Sequence, residues 1–178
     1  LETTKNLVVV EASLIDFQGE IMFNSLIRPS DSFFKQNQNS KLHVGISDDD
    51  LLKAKYTWEE ASKIIQNMLK ANIVWVYNYK YDSQFFNCKL TSAFNVYCAK
   101  ERFAYFNGDY QLQWRGCSLN NKPKWQGLEK AAEILGISEL PQKHRSLDDA
   151  ELLRKVVHAL DDQEIYRRSG MNEPTFSL

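Results

Sequence analysis

An α/β fold built on a mixed sheet is the class that this sequence predicts, on three observations. Two β-branched, apolar runs near the N-terminus are separated by turn chemistry. A long apolar stripe at helical spacing then leads at once into a short β-branched run. Helix, strand and further helices follow, with no internal repeat.

Residues Leu7 to Asp16 read LVVVEASLID, Asp16-Phe17-Gln18-Gly19 supplies a turn, and EIMFNSLI returns, which together predict a β-hairpin. Pro29 closes the second strand, and the polar, Asn- and Gln-rich stretch from Ser30 to Lys41 predicts a surface loop. Ser47 and Asp50 have the spacing of a helix N-cap ahead of Leu51, Leu52 and Ala54. Trp58, Ala61, Ile64, Ile65, Met68 and Leu69 form one helical stripe, with Glu59, Glu60, Lys63 and Gln66 on other faces. Asn72 ends that helix, and IVWVYN has the length and composition of a buried strand. Asp82 to Leu90 predicts a helix, Asn95 to Ala99 a strand, and Lys100 to Tyr105 another helix. The polar segment Asn107 to Lys124 reads as a mobile loop or as an insertion near the site. Gln126 to Leu135 predicts a helix stopped by Gly136, and Ser146 opens a last helix that runs through Leu160.

A chain of 178 residues, 43% hydrophobic and 25% charged, suits one domain and an ordinary globular composition. We expect that domain to span residues 1–160, followed by a polar C-terminal tail over residues 161–178. No stretch approaches the roughly 20 apolar residues of a membrane span. No basic region precedes an apolar run with a cleavage site, so a cytoplasmic protein without a membrane partner is expected. Cys88, Cys98 and Cys117 lack C-x-x-C spacing, which argues against a disulfide framework and a zinc site. The net charge of −1 gives no strong basic field, so a nucleic-acid partner would be gripped locally, as by an enzyme that takes a chain end. The absence of a Gly-rich phosphate loop sets aside a small-molecule enzyme on a doubly wound sheet. The sequence carries no signal for an oligomeric state.

Three separated clusters hold acids with informative neighbours: Leu1-Glu2-Thr3-Thr4, Tyr77-Asn78-Tyr79-Lys80-Tyr81-Asp82, and His144-Arg145-Ser146-Leu147-Asp148-Asp149-Ala150. Each has a structural explanation by itself. Asp82 could cap a helix, and Ser146 with Asp149 has the form of a capping box variant. Taken together and in order, the clusters resemble the DEDDh exonucleases, whose motifs read D-x-E-T-T, N-x-x-[FY]-D and H-x-[AS]-x-D-D. That family includes the proofreading subunit of bacterial replicative DNA polymerase. NSLIRP, HVGISDDDL and KWQGLEKAAEILGI are similar to connecting family text, so the resemblance covers roughly residues 1 to 160. The family's usual His-Gly-Ile stands here as His43-Val44-Gly45-Ile46.

The resemblance implies an RNase H-like sheet of about five strands flanked by helices. It places the family's leading aspartate immediately before Leu1, on a central strand upstream of it. It also implies 3′→5′ hydrolysis at single-stranded DNA or RNA ends, DNA before RNA, with two ions of Mg²⁺ or Mn²⁺ held by Glu2, Asp82, Asp149 and that aspartate. Hard cations take oxygen ligands, which agrees with motifs rich in carboxylates and lacking cysteine. His144 is implied as the general base for the attacking water, a role that suits an imidazole near neutral pH. Thr3 and Thr4 are implied to position the terminal nucleotide, and Asn78 and Tyr81 to order the second motif. Asp148 is expected to be a first-turn acid, His158 structural, and Trp125 a core residue rather than a stacking platform. Glu11 and Asp16 on the hairpin are the next acids to consider if Glu2 does not carry the first motif. The competing class is a domain of the same fold that binds nucleic acid or a protein without catalysis. Clustered uncompensated carboxylates disfavour it, because they destabilise a fold that holds no cation.

Overall fold

The computed structural model describes residues 1–3, 8–36, 45–70, 72–86, 95–108, 110–115, 118–137 and 145–169. The chain divides into two compact units. The first comprises Leu1–Val74, Lys80–Val96 and Pro141–Glu151, and the second Trp75–Tyr79, Tyr97–Leu140 and Leu152–Leu178.

The first unit is organised on a four-stranded sheet in the order β1 (Glu2–Thr3), β2 (Val9–Ile15), β3 (Ile21–Arg28) and β4 (Tyr56–Thr57). β1 and β2 are antiparallel, as are β2 and β3, whereas β3 and β4 run parallel, so the sheet is mixed as expected. The β2–β3 hairpin forms where its sequence places it. Asp16 Oδ1 accepts from the backbone N–H groups of Gln18 at 2.9 Å and Glu20 at 2.8 Å. Gly19, at φ 96°, takes the left-handed position that such a turn needs. Val10, Phe33, Ile46 and Leu51 form a buried cluster in this unit, with Val8, Leu26 and Phe34 packed against it.

Phe33 explains why part of the loop expected over Ser30 to Lys41 is helical instead; residues 37–41 lie outside the described residues. Residues Asp31–Gln36 are a helix, α1, and Phe33 is 6% exposed on it. One buried aromatic ring stabilises the turn against the polar composition around it.

Two capping boxes start the next helices. Ser47 caps α2 (Asp48–Leu52), where the Asp50 amide donates to Ser47 Oγ at 3.1 Å and Asp50 accepts from the Ser47 amide at 3.1 Å. Thr57 caps α3 (Trp58–Leu69), and Glu60 accepts from the Thr57 amide at 2.9 Å. α3 buries Ala61, Ile65 and Leu69, which lie on the predicted stripe. Trp58 Nε1 donates to the Phe85 carbonyl at 3.0 Å, and its ring meets Phe86 edge-on at 5.2 Å.

β5 (Ile73–Val76) pairs with β6 (Asn95–Cys98) in a separate two-stranded sheet. The expectation of a fully buried strand is corrected here: Val74 is buried, but Ile73 is 64% exposed, because β6 is its single partner among the described residues. After β5 come a short helix α4 (Tyr79–Asp82) and a 3₁₀ turn over Ser83–Phe86.

The second unit contains α5 (Ala99–Asn107), the strands β7 (Tyr110–Arg115) and β8 (Ser118–Pro123), α6 (Leu128–Ile134) and most of α7 (Ser146–Ser169). Its core joins Phe103 of α5, Ala131 and Ala132 of α6, Leu135, and Leu152, Val156 and Leu160 of α7. The Tyr77 hydroxyl donates to the Gln126 carbonyl at 2.8 Å, and burial pushes its pKa up. Of the two alternatives for Asn107 to Lys124, the loop is corrected: Tyr110–Arg115 and Ser118–Pro123 form an antiparallel hairpin, registered from Tyr110↔Pro123 to Arg115↔Ser118. Its signal is the alternation of Tyr110, Leu112 and Trp114 with Gln111, Gln113 and Arg115. Gly136, at φ 74°, follows α6 in the left-handed conformation expected of a helix stop. α7 continues beyond Leu160 to Ser169.

Hydrogen bonds from Thr57, backbone first and side chain second, hold the Glu60 carboxyl below its ordinary pKa. A lowered folded pKa contributes stability that is complete near neutral pH and lost as pH falls through the lowered value. Glu60→Gln resembles the protonated acid. The difference in Tm between wild type and Glu60→Gln should therefore be largest at about pH 7 and shrink towards zero at about pH 3. A difference that grows on acidification would contradict this cap.

Candidate active site

The start of α7 carries the third motif, and its geometry departs from the expected cap. The Asp149 amide donates to the Arg145 carbonyl at 2.9 Å, so Arg145 is the N-cap and Ser146 the first helical residue. Ser146 therefore does not form the capping box read from the sequence. Its amide donates to Glu11 Oε2 at 3.0 Å, a carboxylate on β2 that is 135 positions distant along the chain. Arg145 Nε donates to both Glu11 oxygens at 3.0 Å, and Nη2 donates to Oε1 at 2.7 Å. Glu11 and Ser146 are each 3% exposed. The Glu11 hydrogen bond is the largest cause that raises the Arg145 pKa, with burial opposing it.

Ser13, two places along β2 from Glu11, adds a second tether, with its Oγ 2.6 Å from Ser146 Oγ. Ser13 Oγ donates its single proton to Asn24 Oδ1 at 2.9 Å, so Ser146 is the donor in the Ser13–Ser146 pair. Among the described residues no buried side-chain nitrogen or oxygen lacks a hydrogen-bond partner.

The first motif lies on β1, where Glu2 stands opposite Glu11 in the register and Thr3 opposite Val9. Glu11 is thus the cross-strand partner of the first motif and the anchor of the third. In the second motif Asp82 is the last residue of α4 and directly precedes the 3₁₀ turn over Ser83–Phe86, whereas the sequence reading opened a helix at Asp82. Asp82, Asn78 and Tyr81 are half-buried, and the Tyr81 ring meets Phe85 edge-on at 5.3 Å. Asp148 and Asp149 are half-buried acids in the first turn of α7. Thr4, His43 and His144 lie outside the described residues. Of the fallback acids, Asp16 is engaged in the hairpin turn and Glu11 in the Arg145 pair.

Asp82 and Asp149 offer the oxygen donors that a hard divalent cation takes. Among the described residues no three His, Cys, Asp or Glu side chains gather into a metal-holding group. The fit to a cation therefore rests on donor chemistry: the three motifs supply carboxylates and contain no cysteine. Trp125, expected in the core, is 50% exposed, and Lys100 Nζ lies 5.1 Å from its ring centroid.

Residues 7–157 match the RNase T family of exonucleases. A protein of Escherichia phage 186 named "Uncharacterized exonuclease CP81" is 29% identical over 158 residues, covering 85% of this chain and 79% of the phage protein. The α/β fold with its mixed sheet agrees with an RNase H-like exonuclease domain. The chain belongs to the RNase T exonuclease family. It is accordingly a nuclease hydrolase that takes nucleic acid as substrate, in a family that generally uses divalent metal ions.

Arg145→Ala should destabilise the chain, because it leaves a carboxylate only 4% exposed with the Ser146 amide but without its cation. Arg145 is itself 38% exposed, so we expect a loss of about 2 kcal/mol rather than the roughly 3–5 kcal/mol of a fully buried pair, read by urea denaturation. An unchanged midpoint would contradict the buried-pair description.

Proposed function

We propose that residues 1–160 form a cytoplasmic 3′→5′ exonuclease domain of the DEDDh type that removes nucleotides from single-stranded ends, DNA in preference to RNA. The observation that carries this reading is the ordered set of three motifs, Glu2-Thr3-Thr4, Asn78 to Asp82 and His144 to Asp149, in a chain of the exonuclease family. Glu2, Asp82 and Asp149 would hold two divalent ions, Mg²⁺ or Mn²⁺. When bound, such ions supply Lewis acidity at the scissile phosphate and offset charge on the leaving 3′-oxygen.

The remaining roles fall to the chain's own side chains. His144 accepts the proton of the attacking water, the general-base role that histidine fills most often. Thr3 and Thr4 position the terminal nucleotide. Asn78 and Tyr81 order the segment that presents Asp82. No helix among the described residues is long and apolar enough to cross a membrane.

End-labelled DNA and RNA oligonucleotides, incubated with Mg²⁺, Mn²⁺ or EDTA, test the reading. A 5′-labelled strand should shorten in single-nucleotide steps with either metal and remain intact in EDTA. Asp82→Ala and Asp149→Ala should each abolish release while the circular dichroism spectrum stays that of the folded protein. His144→Ala should lose on the order of 10² to 10⁴ in rate, the usual contribution of a general base. Wild-type release by either aspartate variant, or release of the 5′ label as the first product, would overturn the reading.

A further inference from the structure

Glu11 receives hydrogen bonds from Arg145 Nε, Arg145 Nη2 and the Ser146 amide while standing opposite Glu2 in the β1–β2 register. We infer that Glu11 is a positioning residue of the nuclease site, which fixes the spacing between the first-motif strand and the helix turn that carries Asp149.

Three features of the geometry support this. First, an acid 3% exposed in a strand that otherwise reads VVVEASLI is costly to bury, so it is retained for what it holds. Second, its partners are the N-cap and first residue of α7, and the Arg145 carbonyl accepts from the Asp149 amide at 2.9 Å. A displacement of Arg145 is thereby passed to Asp149 through a backbone hydrogen bond. Third, Ser13 and Ser146 repeat the link at 2.6 Å from the same strand, two residues on, so β2 grips the helix turn at two places and resists its rotation. The Arg145 fork needs both carboxylate oxygens, and an amide in place of the acid offers one.

The inference rests on the proposed carboxylate site, and its test separates the two. The probe is Mn²⁺ alone, with free ion counted by electron paramagnetic resonance as the full-length chain is titrated without nucleic acid. Glu11→Gln should weaken Mn²⁺ binding about 10-fold or more, the size of loss expected when the support of a ligand is removed. It should lower kcat for nucleotide release by a similar factor, with KM for the oligonucleotide held within about twofold. Arg145→Lys, which keeps the charge but lacks the fork, should show a smaller loss in the same direction and serves if Glu11→Gln does not fold. Ile65→Ala, a cavity variant in α3, controls for destabilisation and should leave Mn²⁺ affinity unchanged. Wild-type Mn²⁺ affinity in both Glu11→Gln and Arg145→Lys would overturn the inference, as would an equal loss in Ile65→Ala. Asp149→Ala that still cleaves would overturn the carboxylate site and leave the Mn²⁺ comparison to decide the role of Glu11. A wild-type chain that binds no Mn²⁺ would overturn both.

Discussion

A carboxylate buried in a strand demands donors, and the donors that Glu11 finds determine how the first unit is assembled. Taking an ionised acid out of water costs several kcal/mol unless hydrogen bonds and an opposite charge replace its hydration. Arg145 and the Ser146 amide supply both. Neither donor is local in sequence, so satisfying Glu11 requires that α7 begin at the face of β2. The remainder of α7 then leaves this unit, and Leu152, Val156 and Leu160 enter the core of the other. One interaction therefore fixes where the helix starts and which residues occupy its first turn.

The elements most legible in the sequence are those whose determinants lie within a few residues. The Asp16–Gly19 turn and the cap at Ser47 are each closed by bonds spanning four residues or fewer, so sequence spacing is enough to place them; the equally local cap at Thr57 is absent from the sequence reading. The stripe from Trp58 to Leu69 is legible for the same reason, since a helix repeats its own periodicity. Legibility falls where one residue outweighs composition. Phe33 turns a polar stretch into α1 by burying a single ring, and Tyr110, Leu112 and Trp114 alternate inside a segment whose average is polar.

The candidate site divides along the same line. Motif acids are recognisable by spacing because carboxylates with threonine, asparagine and histidine neighbours form patterns. Their supports have no such pattern. Nothing in HRSLDDA states that Ser146 is the first helical residue and not the cap, because the cap's hydrogen-bond acceptor comes from Glu11 on β2. The available signal was thermodynamic: a lone acid amid Val8, Val9, Val10 and Ala12 must be paired, and Arg145 beside the third motif is a cation able to reach it. Asp82 shows a smaller displacement: its helix begins earlier, at Tyr79, so the acid closes α4 and leads into the 3₁₀ turn over Ser83–Phe86.

The central proposal is that the acids of the three motifs together hold the divalent ions. Amide signals of the isotope-labelled full-length chain, followed by nuclear magnetic resonance as Mn²⁺ is added below one equivalent, test it most directly, since the ion broadens only nearby nuclei. The claim predicts that amides around Glu2, Asp82 and Asp149 broaden together at the lowest Mn²⁺ concentration. Broadening centred instead on an exposed acidic turn such as Asp48–Asp50, with those three left sharp, would contradict it.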